Sequence, residues 1–164
     1  MTAYPGASED KLYESTYRHK HYNPFLCGEC ANCKQNTDRV CTTAIKSNCD
    51  QLKCSSSKLV SRRRPNQECI PVIHFGLIAS GNTVMKSGEG RDEIADKWGV
   101  IAFEMEGAGV WEHFPCLIIK GVCDYADCHK EKKWQNYAAA TAATCTKAFL
   151  QYWTVTSSRD SVIL

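Results

Sequence analysis

The apolar residues of this chain gather in three short runs beyond residue 70, and between residues 19 and 67 the pattern disappears. The runs are 72–79 (VIHFGLIA), 100–103 (VIAF) and 116–121 (CLIIKG). Short, nearly continuous apolar runs bounded by turn or acidic residues are the mark of buried parallel strands. Between the runs lie helix formers. In 89–98, Ile94, Ala95 and Trp98 share a face, Lys97 sits in the last turn and Gly99 stops the helix. In 105–114 the apolar positions are Ala108, Val110, Trp111 and Phe114, and 134–153 is an Ala-rich helix with Tyr137, Ala140, Thr144, Ala148 and Tyr152 in phase. A strand, a crossover helix and a returning strand make a parallel pair. The expected fold is therefore α/β, a helix–sheet–helix sandwich around a mostly parallel sheet.

Parallel strands end on the same side, and in open α/β sheets ligands sit at that side. The second run stops at Glu104, Met105 and Glu106, and the third is followed by Asp124 and Asp127. Carboxylates distant in sequence are thus expected to converge on one cleft. The plainer role for such acids is to cap the next helix, and this is the reading preferred for Glu104 and Asp127. After the first run, Gly81 permits a sharp bend and Asn82 tolerates a left-handed conformation. Residues 80–85 are then a loop at the ligand-binding end. His74, inside the run, reads as a packed core or edge residue.

The first half has another character. Residues 1–18 are predicted to hold a short helix from Ser8 to Tyr17, capped by Ser8, with Leu12, Tyr13 and Tyr17 on its apolar side. Residues 19–70 are polar and basic and carry Cys27, Cys30, Cys33, Cys41, Cys49, Cys54 and Cys69 of the eleven cysteines. The run CGECANC places Cys27, Cys30 and Cys33 in two overlapping C-x-x-C spacings, which suits soft thiolate ligands, with Cys41 or His21 as a fourth. Structural zinc sites usually show two regular ligand pairs, and here the second, Cys49 and Cys54, is irregular. The preferred reading is a mobile Cys-bearing insertion without metal, the zinc site its alternative. The arginines at 62–64, ahead of Pro65, read as a solvated linker. Residues 154–164 read as a frayed tail.

At 164 residues and 43% hydrophobic, the chain suffices for one core. A formal charge of +2 gives no reason to expect nucleic acid as partner, and no run approaches the ~20 apolar residues that span a bilayer. No secretory signal opens the chain, so reduced thiols and a cytoplasmic location are expected.

Three stretches carry a family resemblance. FEMEGAG followed by an apolar strand and CDYAD resembles the ribose- and base-binding core of the purine nucleoside and uridine phosphorylases, a family that includes the methylthioadenosine/S-adenosylhomocysteine nucleosidases. HFGLIASGNTVMK resembles the strand and base-stacking loop of that family, and WQNYAAATAAT its C-terminal helix. The wording is closest to the fungal version, in which the domain precedes nucleotide-binding and repeat modules. The likeness spans residues 71–153, and it implies the C-terminal part of a nucleoside phosphorylase-like domain.

Cleaving an N-glycosidic bond builds positive charge on the ribose and negative charge on the departing base. The resemblance implies Glu106 as acceptor for the ribose hydroxyls, Met105 beside the sugar, and Asp124 as the acid at the base nitrogen. It places Val84, Met85, Phe103 and Glu104 in the base pocket. For Asp124 to give a proton, its surroundings must raise its pKa. The implied partner is a nucleoside, with no cofactor but phosphate as co-substrate if the reaction is phosphorolysis, and complete members of the family are homo-oligomers. The glycine-rich phosphate loop and first strands of the family have no counterpart here. The expectation is thus an incomplete domain, inactive by itself, or a non-catalytic nucleoside-sensing or assembly module of a larger signalling-type protein.

Overall fold

The computed structural model describes residues 3–35, 37–62 and 70–153. Arg63, Arg64 and Pro65 of the basic run, Cys69 and the tail 154–164 lie outside the described residues. The fold is α/β, built on a small parallel sheet of two strands, β1 (Leu77–Ser80) and β2 (Val100–Glu104). Ser80 pairs with Glu104 in the ladder, so both strands end together. The crossover is helix α4 (Gly88–Trp98): the Ser87 hydroxyl accepts the Gly90 N–H at 3.1 Å, and Gly99 closes the helix at φ 66°. Directly after β2 comes the short helix α5 (Gly107–Trp111).

The first apolar run is shorter as a strand than its pattern predicts. Only Leu77–Ser80 joins the ladder, because pairing needs a neighbour as well as β propensity, and Val72, Ile73 and Phe75 stand exposed. The run 116–121 likewise carries no ladder. It lies against helix α6 (Gln135–Tyr152), so closely that a Cβ built on Gly121 would come within 2.0 Å of the Ala138 carbonyl oxygen. The inward face of α6 runs through Ala138, Thr141, Ala142 and Cys145, while Tyr152, placed in phase by the pattern, is exposed.

The N-terminal helix is reduced to a single 3-10 turn, Ala7–Glu9. Beyond it the backbone is extended: Tyr13 bridges to Leu59, and the Val60 N–H donates to the Leu12 carbonyl at 2.8 Å. The long-range pairing satisfies backbone groups that a local helix would otherwise have claimed.

Residues 19–62, where no pattern was found, hold three short helices: α1 (Gly28–Asn32), α2 (Thr42–Lys46) and α3 (Cys49–Leu52). Thiols cap two of them. Cys27 accepts the Cys30 N–H at 3.5 Å, and Cys41 accepts the Ala44 N–H at 3.3 Å. Cys30, Cys41, Ala44 and Leu52 form a small buried core. Among the described residues, no helix is long and apolar enough to cross a membrane.

Candidate functional site

At the carboxyl ends of β1 and β2 the chain gathers Ser80, Glu104 and the first turn of α5. Glu104 is 9% exposed. Its Oε2 accepts the N–H groups of Glu106 and Gly107, each at 2.7 Å, which neutralises free donors at the start of α5. Burial pushes this carboxyl up, but those N–H groups and the neighbouring Ser80 hydroxyl outweigh it and hold the pKa below its ordinary value. Its other oxygen, Oε1, is buried and has no well-formed hydrogen bond among the described residues. The Ser80 hydroxyl also accepts the Ala108 N–H at 2.7 Å.

Glu106 is exposed and bends back on its own turn, with Oε2 accepting the Met105 N–H at 3.1 Å. Met105 and Val84 are exposed, while Met85 and Phe103 are half-buried, Met85 lying beside Gly90 of α4.

Asp124 sits apart from this group. It lines a cavity of about 1100 Å³ between the strands, the run 117–123 and α6, whose walls include Ile78, Ile101, Ile118 and Thr141. Glu104, Glu106, Met105, Val84, Met85 and Phe103 are not on those walls. The Asp124 carboxylate accepts the Ala126 N–H at 2.8 Å and pairs with Lys130 at 3.1 Å. Burial acts to raise its pKa, yet the Ala126 N–H and the Lys130 ammonium prevail and the carboxyl is held below its ordinary value. The raised acid that proton donation requires is not what these neighbours produce.

The turn after Asp124 is built by two carboxylates in succession. Asp124 receives the N–H of Ala126, which takes a left-handed φ of 53°, and Asp127 receives the His129 N–H at 2.8 Å. Asp127, with Arg91 at 3.9 Å, is thus a turn builder, where a cap for the next helix was expected of it. The turn delivers His129 to a buried cluster.

That cluster is His19, Cys49, Cys54 and His129, whose nearest Nδ1 and Sγ atoms all lie within 4.8 Å of one another. The two Nδ1 atoms are 3.3 Å apart. Cys49 Sγ is 3.7 Å from His19 Nδ1 and 3.5 Å from His129 Nδ1, and Cys54 Sγ is 3.9 Å from each. Helix α3 explains the thiol pair: Asn48 and Gln51 form a capping box, and Lys53 closes the helix at φ 52°. The Cys54 N–H then reaches the Cys49 carbonyl at 2.9 Å. Hydrogen bonding between the two thiols and burial push Cys49 up to about 11, whereas Cys54 is lowered, chiefly by the same bond. Burial would lower His129, but hydrogen bonds to Cys128 and Cys49 outweigh it and lift the ring to about 10. Tyr13 stacks on the His129 ring at 4.2 Å.

A second group joins Cys27, Cys30 and Cys41 within the same 4.8 Å limit. Cys33, the third cysteine of the CGECANC run, is not in it. Its thiol receives the Arg18 guanidinium at 2.9 Å and donates to the Asp38 carbonyl at 3.6 Å. The C-x-x-C spacing flagged Cys27 and Cys30, and Cys41 was a stated partner. Nothing in the local spacing flagged His19 or His129, which are 110 residues apart.

The chain is 48% identical over 91 residues to a nucleotide-binding leucine-rich repeat (NLR)-like protein of the fungus Hyaloscypha variabilis, a match covering 56% of this chain and 9% of that protein. This chain therefore spans only a small part of the relative's length. No family model and no solved structure matches the chain.

Proposed function

We propose that this chain is part of a nucleoside phosphorylase-like domain that recognises a nucleoside without cleaving it, within a longer NLR-like protein. The similarity to such a protein supports the larger context, and the FEMEGAG and CDYAD motifs support the nucleoside. The observation that carries recognition over catalysis is Asp124. Its carboxylate is occupied by the Ala126 N–H and the Lys130 ammonium and is shifted towards the ionised form, so it has no proton to give a departing base.

At the strand ends, Glu104 is committed to the start of α5, its Oε2 holding the N–H groups of Glu106 and Gly107. Glu106, next to it, can exchange the Met105 N–H for ribose hydroxyls. The exposed apolar residues of the first run, Val72, Ile73 and Phe75, suit coverage by other parts of the longer polypeptide.

The test incubates the 164-residue chain with inosine, adenosine or methylthioadenosine, with and without phosphate. Free base is followed by chromatography and binding by calorimetry. Binding without base release is expected, weakened about tenfold in Glu106→Gln if that carboxylate holds two hydroxyls. Base release abolished by Asp124→Asn would overturn the non-catalytic reading, and neither binding nor release would overturn the nucleoside reading.

A further inference from the structure

The nucleoside reading makes no use of the His19–Cys49–Cys54–His129 cluster, and its geometry has a simple explanation. A tetrahedral zinc ion with Zn–N near 2.05 Å and Zn–S near 2.3 Å requires edges of about 3.3 Å between nitrogens, about 3.6 Å between nitrogen and sulfur, and about 3.8 Å between sulfurs. The observed nitrogen–nitrogen separation is 3.3 Å and the nitrogen–sulfur separations run from 3.5 to 3.9 Å.

The histidine tautomers fit the same arrangement. His19 Nε2 lies 2.8 Å from the Ser47 carbonyl oxygen, and His129 Nε2 lies 2.9 Å from that of Tyr17. A carbonyl only accepts, so each Nε2 carries a hydrogen and faces outward, which leaves Nδ1, at the centre of the cluster, as the nitrogen placed to bind a metal. Backbone carbonyls on the outer nitrogen are the usual orienting partners of metal-bound imidazoles. The two Nδ1 atoms face each other at 3.3 Å, with two sulfur atoms beside them. A thiol is only a weak hydrogen-bond donor, whereas a shared cation satisfies all four groups at once.

We propose that His19, Cys49, Cys54 and His129 form a closed tetrahedral site for Zn²⁺ that pins the Cys-rich segment to the turn carrying Asp124. Two thiolates and two imidazoles favour zinc over magnesium or calcium, which take oxygen ligands. Four protein ligands leave no position for water or substrate, so the ion is structural. Three separate stretches meet on it: the bend at His19, the α3 knuckle, and the turn at His129. The proposal stands independently of nucleoside binding.

The test uses the 164-residue chain expressed with zinc and dialysed against metal-free buffer. Elemental analysis should find bound zinc, and exchange for Co²⁺ should give the intense visible bands of tetrahedral cobalt with thiolate ligands. Cys49→Ser/Cys54→Ser should abolish those bands, while Cys27→Ser/Cys30→Ser should leave a tetrahedral thiolate–imidazole spectrum. A second measurement needs no variant: alkylation of Cys49 and Cys54, read by mass spectrometry, should be slower by about tenfold or more with zinc than after chelation. Cys116, which belongs to neither cysteine cluster, serves as the internal reference. Absence of bound metal overturns the proposal. So do cobalt bands that survive loss of Cys49 and Cys54, or labelling of these thiols that ignores the chelator.

Discussion

The Cys-rich segment and the sheet-forming segment satisfy their residues in opposite ways. Residues 19–62 contain few large apolar side chains, and Phe25 and Leu26 among them are exposed, yet the small Cys30 and Ala44 are fully buried and Cys49 is 4% exposed. Around the sheet the apolar material is abundant, yet Phe75 is 95% exposed and Leu117 67%. An apolar strand is buried only when other layers cover it. A converging set of thiols and imidazoles, by contrast, closes a small unit with a handful of side chains. Hydrophobic content thus marks where partners are needed, and it does not by itself mark where a chain is most closed.

The largest effect that would sharpen this contrast is chelation. If the cluster at His19 and His129 holds the first segment, removing metal should cost more than about 3 kcal/mol, because metal binding and folding are one equilibrium in such sites. Hydrogen exchange should then rise across α1 to α3 and the turn 124–129, and much less across α4. Equal loosening of both regions would break the distinction.

The next effect belongs to the other region. Gly121 lies against α6 so tightly that an added Cβ would meet the Ala138 carbonyl oxygen at 2.0 Å. Backbone cannot step aside as a side chain can, so Gly121→Ala should destabilise by about 1–3 kcal/mol in urea denaturation. A neutral result would mean that α6 is free to move off the run 116–121.

What could be read from the sequence follows the same division. The strand at 100–104, the crossover helix with its Gly99 stop and the long C-terminal helix depend on local periodicity, and all three stand where the pattern placed them. The run 116–121 and residues 72–76 have strand composition but no ladder, since a ladder is a property of two segments and composition of one. The N-terminal helix failed for a related reason: Tyr13 is drawn into a long-range bridge with Leu59 and onto the His129 ring. The Cys49–Cys54 spacing looked irregular because its regularity depends on Lys53 adopting a left-handed conformation, which no lysine announces. His129 was hidden by distance along the chain. Of the carboxylates, Glu104 takes the helix-capping role preferred for it, though its two oxygens differ only once α5 is in place: one takes the helix N–H groups and the other is buried.

The smallest expected effect tests that division of labour at Glu104. Its pKa is lowered in the folded chain, so its contribution is fully present above the ordinary value of 4.5 and is lost as pH falls through the lower folded value. Glu104→Gln keeps an acceptor for the Glu106 and Gly107 N–H groups but removes the charge at the start of α5. The cost at neutral pH should be about 1 kcal/mol, the usual worth of an N-terminal cap. As pH falls below 4.5 and through the lower folded value, the carboxyl protonates and the difference between the two chains should shrink. Urea midpoints measured at pH 7 and near pH 3 would show this as a shallower acid limb in the variant. If the gap instead widened on acidification, the carboxyl would have to be protonated in the neutral fold, and it could not cap α5 as a charge.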